Sequence, residues 1–209
     1  MPKPLPTLKL GYTLQGRYRI LRKLASGGFG SVYLADDMRL RGRRVAIKEL
    51  SDPAPAARRL FQQEAVVLAS LSHPGLVRVS DFFAEGRSHY LVMDYIEGED
   101  LLELAIEAEK AHELLPVDQV CEWMLQVCDA VAYLHAQVPS IVHRDIKLNN
   151  IRLSKSGQAV LVDFGIAKVD PKAKTEMMAK AVSEGYSPPE QYAGPNGTDT
   201  RSDVYALGA

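Results

Sequence analysis

Between Ile141 and Leu153 the chain reads IVHRDIKLNNIRL. Apolar, strand-like ends enclose a His, an Arg, an Asp, a Lys and two Asn. A solvated turn uses Gly, Pro, Ser and Asp and has no need of this set. Asp145 can accept a hydroxyl proton. Lys147, two residues on, can neutralise a transferring phosphoryl group, and Asn150 can offer a metal its amide oxygen. Thirteen residues after Asn150 comes DFG. There Asp163 is a hard oxygen donor suited to Mg2+, and Gly165 allows a sharp turn behind it.

Two stretches nearer the N-terminus carry weaker signals. LASGGFGSVY sets three glycines between strand-like runs. Read alone, it is either a plain hairpin or a flap whose backbone N–H groups can approach phosphates because side chains are absent. VAIK ends in Lys48, and strand alternation puts Lys48 on the same side as Ala46. A cation on a buried face needs an anion. Glu64, four residues after Leu60 and four before Leu68, lies in the apolar stripe of a helical stretch. A carboxylate there is costly unless paired. Lys48–Glu64 is the natural pair, and two unrelated surface charges are the alternative.

The elements that must position these groups follow from periodicity. Tyr18 to Leu50 is strand-like, with a Gly-rich turn and a basic turn, DMRLRGRR. Residues 54–71 read as a helix with Phe61, Ala65, Leu68 and Leu71 on its apolar face. Two more strands meet at Glu85–Gly86. From residue 100 the pattern is helical: about 100–113, then 116–137, where Val120, Met124, Val127, Val131 and Leu134 recur at helical spacing. Short strands are predicted near 151–153 and 159–162. The β-rich part gives way to the α-rich part near residues 95–99. Residues 1–15 read as an extended or loose arm.

The bulk properties exclude several classes. The 209 residues are 46% hydrophobic and 24% charged, an ordinary globular composition. A net charge of -1 argues against nucleic-acid binding by bulk electrostatics. No run approaches the ~18 apolar residues of a membrane span, and MPKPLPTLKL is no signal peptide. Cys121 and Cys128 are read as small core residues, in a cytoplasmic, reducing setting.

Taken together, GGFG, VAIK, Glu64, HRDIKLNN, DFG, the PPE of residues 188–190 and SDVYALG resemble, in order and spacing, the protein kinase catalytic domain. The resemblance covers about residues 17–209, and GYSPPEQY and LQGRYRIL look most like bacterial Ser/Thr kinases. It implies an α+β, two-lobed fold. The β-rich N-lobe, with one key helix, spans residues 16–96. The mainly helical C-lobe spans 97–209 and is incomplete at the start of its central helix. It implies ATP and Mg2+ as cofactors and the Ser/Thr hydroxyls of proteins as substrates. Asp145 becomes the catalytic base or hydroxyl-orienting residue, and Lys147 favours Ser/Thr over Tyr. Asn150 and Asp163 hold Mg2+. Lys48, fixed by Glu64, contacts the α- and β-phosphates. Leu24, Ala25, Ser26, Gly27, Gly28, Phe29, Gly30, Val32 and Ala46 belong to the nucleotide site. Asp94 and Ile96 offer hinge backbone groups to adenine, Met93 gates the pocket behind, and Asp100 falls at the ribose. His143 packs on Phe164, and Asp203 anchors the catalytic-loop backbone.

Three positions depart from the family pattern. Ala25 replaces the first glycine and Leu148 the usual Pro. Arg152 stands where an apolar side chain normally forms the floor under adenine. Either its aliphatic stem serves as floor, or its charge reaches the nucleotide or Asp100. Arg144 before Asp145 goes with control by a phosphorylated activation segment, which nominates Thr175 for autophosphorylation and leaves Ser183 structural. The distant Arg that pairs with Glu190 in the family, and the later helices, are missing, so the 209-residue chain alone is expected to be inactive. A nucleotide- or partner-binding pseudokinase and a small-molecule kinase are the competing readings. The complete set of Lys48, Glu64, Asp145, Asn150 and Asp163 argues against the first, and the long segment 163–190 against the second.

Overall fold

The computed structural model describes residues 8–27, 30–50, 55–163, 185–193 and 198–209. They form two compact units, Met1–Leu71 with Arg78–Tyr95, and Ser72–Val77 with Ile96–Ala209.

The first unit is a six-stranded antiparallel sheet, ordered β1-β2-β3-β4-β6-β5, with one helix. Its strands are β1 (Thr13–Leu14), β2 (Tyr18–Gly27), β3 (Gly30–Asp37), β4 (Arg43–Leu50), β5 (Val79–Glu85) and β6 (Ser88–Asp94), and α1 is Pro55–Ser70. Alternation divides β4 as expected. Val45 and Ile47 point into a cluster with Tyr18, Ile20, Tyr33, Tyr90 and Val92, so Ala46 and Lys48 face the other way. Glu49, on the cluster side, is 4% exposed. Its carboxylate accepts hydrogen bonds from the Tyr33 hydroxyl (3.0 Å) and the Tyr90 hydroxyl (3.1 Å). Burial, chiefly, raises the pKa of both phenols, so they stay protonated and donating.

That apolar face explains a correction. Of the two readings of the arm, extended or loose, the loose one fails from Leu8 onward: Leu14 of β1, opposite Tyr18, is 1% exposed and Leu8 packs on the same cluster. Without them this face of the sheet would be wet. Tyr12 Oη and the Gln15 amide both donate to the Glu85 carboxylate, at 2.9 and 2.7 Å. On α1, Phe61, Ala65, Leu68 and Leu71 are buried as their spacing requires.

The second unit holds α2 (Leu101–Ala111), α3 (Val117–His135), a 3-10 turn at Leu148–Asn150, β7 (Ile151–Leu153), β8 (Ala159–Leu161), α4 (Pro189–Ala193) and α5 (Thr200–Gly208). Trp123, Val127, Ala130, Val131 and Leu134 form the buried stripe of α3. Val120 and Met124 lie at its half-buried margin. Cys121 and Cys128 are exposed, not core. At about 100° per residue they stand roughly 100–120° around the helix from Val127, beyond the stripe. Residues 72–77 join this unit because Val77 N–H donates to the Leu161 carbonyl (3.1 Å) and Leu161 N–H to the Gly75 carbonyl (2.8 Å). Their placement here changes the first-lobe boundary drawn from sequence. No helix among the described residues is long and apolar enough to cross a membrane.

Candidate active site

The segment 141–153 is held from below by one carboxylate. Asp203, on α5, is fully buried and accepts from the backbone N–H groups of His143 and Arg144, both at 2.8 Å. His135, at the end of α3, adds Nε2 at 2.8 Å. The clamp has a physical purpose. Arg144 has φ 68, a left-handed conformation that a non-glycine residue holds only when its surroundings enforce it. Asp203 captures the two successive amides that lead into that turn, and Asp145 follows directly.

Asp145 and Asn150 are each 5% exposed. The Asn150 amide nitrogen donates to the Asp145 carbonyl at 2.8 Å and to the Asp145 carboxylate at 2.9 Å. Lys147 Nζ lies 3.3 Å from the same carboxylate. The three residues singled out by spacing therefore converge on one point. With its NH2 turned to Asp145, Asn150 keeps its amide oxygen as the acceptor able to ligate a metal. Asp163 is brought to the same end of the β7–β8 hairpin. Ile151 pairs with Leu161, and Val162 N–H donates to the Asn150 carbonyl at 2.9 Å. Asp163 itself adopts φ 58, so the chain already turns at the aspartate, ahead of Gly165. Two hard oxygen donors at one hairpin end suit Mg2+, which takes one or two protein carboxylate or amide ligands and fills its shell with waters and substrate phosphates.

Arg144 is the other cation of this loop. Its Nε is buried without a hydrogen-bond partner among the described residues. Burial lowers its pKa, opposed by the field of Asp203. Its carbonyl accepts from Gln191 Nε2 at 3.4 Å. Glu190 of PPE accepts from the Ser202 hydroxyl at 2.7 Å, a partner the sequence did not suggest.

The segment after residue 95 carries two expected nucleotide residues. Asp100 caps α2: its Oδ1 accepts from Glu103 N–H at 2.9 Å, and the Glu103 carboxylate accepts from Asp100 N–H at 3.0 Å, a complete capping box. Arg152, on β7, reaches this segment rather than solvent. Its Nε donates to the Ile96 carbonyl at 3.2 Å and its Nη2 to the Gly98 carbonyl. Gly98, within the boundary predicted near residues 95–99, carries a constraint of its own. It has φ 153, and a Cβ there would fall 1.8 Å from the Leu153 carbonyl oxygen, so only glycine lets the two backbones pass.

The first unit supplies its share separately. Lys48 lies opposite Val32 on β3 and Leu91 on β6, and Ala46 opposite Met93. Leu24, Ala25, Ser26, Gly27, Gly30 and Val32 occupy the facing ends of β2 and β3, with Ala25 opposite Val32. Asp94 closes β6 and pairs with Arg43 at 2.7 Å. Glu64 lies on α1. Its side chain, like Gly28, Phe29, Phe164, Thr175 and Ser183, lies outside the described residues, so the Lys48–Glu64 and His143–Phe164 pairings are not visible.

Residues 18–209 match the protein kinase domain family model. The chain belongs to the protein kinase domain family. Its relatives include serine/threonine-protein kinase pkn2 of Myxococcus xanthus, 39% identical over 206 residues, covering 93% of this chain and 24% of that protein. Serine/threonine-protein kinase PknA of Mycobacterium tuberculosis is 39% identical over 211 residues, covering 96% and 47%. The chain thus spans from about a quarter to about half the length of these curated relatives. Among solved structures, PpkA-294 in its apo form superposes with a TM-score of 0.78 at 31% identity, covering 97% of this chain and 76% of that one. The PknI kinase domain of M. tuberculosis gives 0.70 at 32% identity, covering 96% and 72%. The expected kinase-like fold, with a curled β-sheet lobe and a helical lobe, is the fold observed.

Proposed function

We propose that this kinase-family chain transfers the γ-phosphoryl group of Mg-ATP to Ser/Thr hydroxyls of proteins. The observation that carries the reading is the Asp203 clamp, which fixes the left-handed Arg144 and so presents Asp145, Lys147 and Asn150 as one cluster. Asp145 orients the acceptor hydroxyl and takes up its proton. Lys147, at 3.3 Å from Asp145, offers positive charge to the phosphoryl group in transit. Lys48, with Glu64 as partner, holds the α- and β-phosphates. Asn150 and Asp163 are the residues that would hold Mg2+, which when bound neutralises phosphate oxygens. Such transfer is mostly positioning and electrostatics. The buried Nε of Arg144 supports a docking role for a phosphate on Thr175. The Ser/Thr kinase names of the relatives support the substrate class.

The test uses the full-length protein, γ-labelled ATP and a Ser/Thr protein substrate. Label on Ser or Thr, falling about 100-fold or more in Asp145→Ala, supports the reading. Nucleotide binding without transfer would favour a pseudokinase, and label on a small molecule instead would favour the third class. Phosphopeptide mapping that finds none on Thr175 removes that site from the proposal.

A further inference from the structure

Arg152 departs from its family pattern in type and, in this structure, in what it does. The stem-as-floor reading leaves the guanidinium without a task. Here it has two carbonyl acceptors and a carboxylate at ion-pair distance, all from one five-residue segment. Nε meets the Ile96 carbonyl at 3.2 Å, Nη2 the Gly98 carbonyl, and Nη1 lies 3.8 Å from Asp100 Oδ2. The backbones run together as well: Leu153 N–H donates to the Glu99 carbonyl at 2.8 Å, and Asp100 bridges Arg152 in an antiparallel pair. Asp100 is held from both sides, Oδ1 by the Glu103 amide and Oδ2 by Arg152. The Arg152 and Asp100 side chains are 26% and 13% exposed.

We infer that Arg152 is a positioning residue for the nucleotide: its fork fixes the Ile96–Asp100 segment and so sets affinity for ATP rather than the rate of transfer. The inference rests on the kinase reading, which gives Ile96 to adenine and Asp100 to ribose. Carbonyls held by a guanidinium form charge-assisted bonds. Without it, acceptors aimed at one point lose their donor, and the segment must be reordered each time a nucleotide binds, which lowers apparent affinity. Lysine offers a point charge and no fork. Asp145 and Asn150 do not touch this fork, so the transfer step is spared.

Arg152→Met is the discriminating variant, because it keeps an unbranched stem and removes every donor. In the full-length protein the expected result is an ATP KM raised about tenfold, with kcat within about threefold of wild type. Titration calorimetry with a non-hydrolysable ATP analogue should show the same loss. Arg152→Lys, which retains charge, should recover only part of it. An unchanged or lowered KM in Arg152→Met overturns the inference in favour of the stem as floor. A fall in kcat or melting temperature at constant KM overturns it in favour of a purely structural role. A wild-type protein that neither binds the analogue nor transfers phosphate overturns the kinase reading, and this inference with it.

Discussion

At the scale of single residues, the buried carboxylate of Asp203 sets the shape of the catalytic loop. Asp203→Asn keeps the volume but turns one of two acceptor oxygens into a donor, facing three N–H groups. Misplacement by about 1 Å can cost roughly 100-fold in rate. The expected outcome is a kcat lowered about 100-fold with ATP KM little changed, read by steady-state kinetics. His135 was missed in the sequence because a histidine ending an apolar helix carries no signal by itself. Its link to Asp203 spans 68 residues. Gly98 was missed for a related reason: its constraint comes from the Leu153 carbonyl, a partner outside its local sequence. Gly98→Ala should lower stability by several kcal/mol or prevent folding, judged by denaturant unfolding, since neither backbone can yield without breaking the Leu153–Glu99 hydrogen bond.

Elements show where pattern suffices and where it fails. The α1 stripe and the two faces of β4 were legible because period 3.6 and period 2 act over eight residues or more. β1 was not, being two residues long with one buried side chain. Leu14→Ala should cost about 2–4 kcal/mol in unfolding free energy. A truly loose arm would show no change. The β2–β3 hairpin has a second anchor. Arg17 grips Asp37 at 2.9 and 2.6 Å, and Asp37 is 1% exposed. The hydrogen bonds from Arg17 hold the Asp37 carboxyl below its usual pKa, against the opposing effect of burial. A depressed acid stabilises above its unfolded pKa, and that stability is lost as pH falls through the folded value. Arg17→Gln should therefore be destabilised by about 3 kcal/mol near neutrality, and the gap to wild type should narrow below about pH 4. A gap of constant size in pH-dependent unfolding would contradict the assignment.

Across the whole molecule, the ordered motifs carried the fold, because each must sit at a fixed point on a scaffold, and Asp145, Lys147 and Asn150 were brought together as their spacing required. What escaped were features set by contacts distant in sequence. The exposure of Cys121 and Cys128 belongs here: helical spacing defined a stripe but not its edges, and both thiols lie just past one edge. In the 209-residue chain both should react with a thiol reagent without denaturant. Protection of either would return it to the core. A last consequence follows from residues 72–77. The backbone leaves the first unit after Leu71, returns at Arg78 and leaves again after Tyr95. Leu76 and Val77, 6% and 4% exposed, are lodged beside Leu161. Neither unit is therefore a contiguous stretch of gene. A single recombination breakpoint near codon 95 would transplant the sheet with six residues that belong elsewhere, and would strip β8 of the Gly75 and Val77 backbone bonded to Leu161. An exchange by one breakpoint that keeps both units intact must move them together.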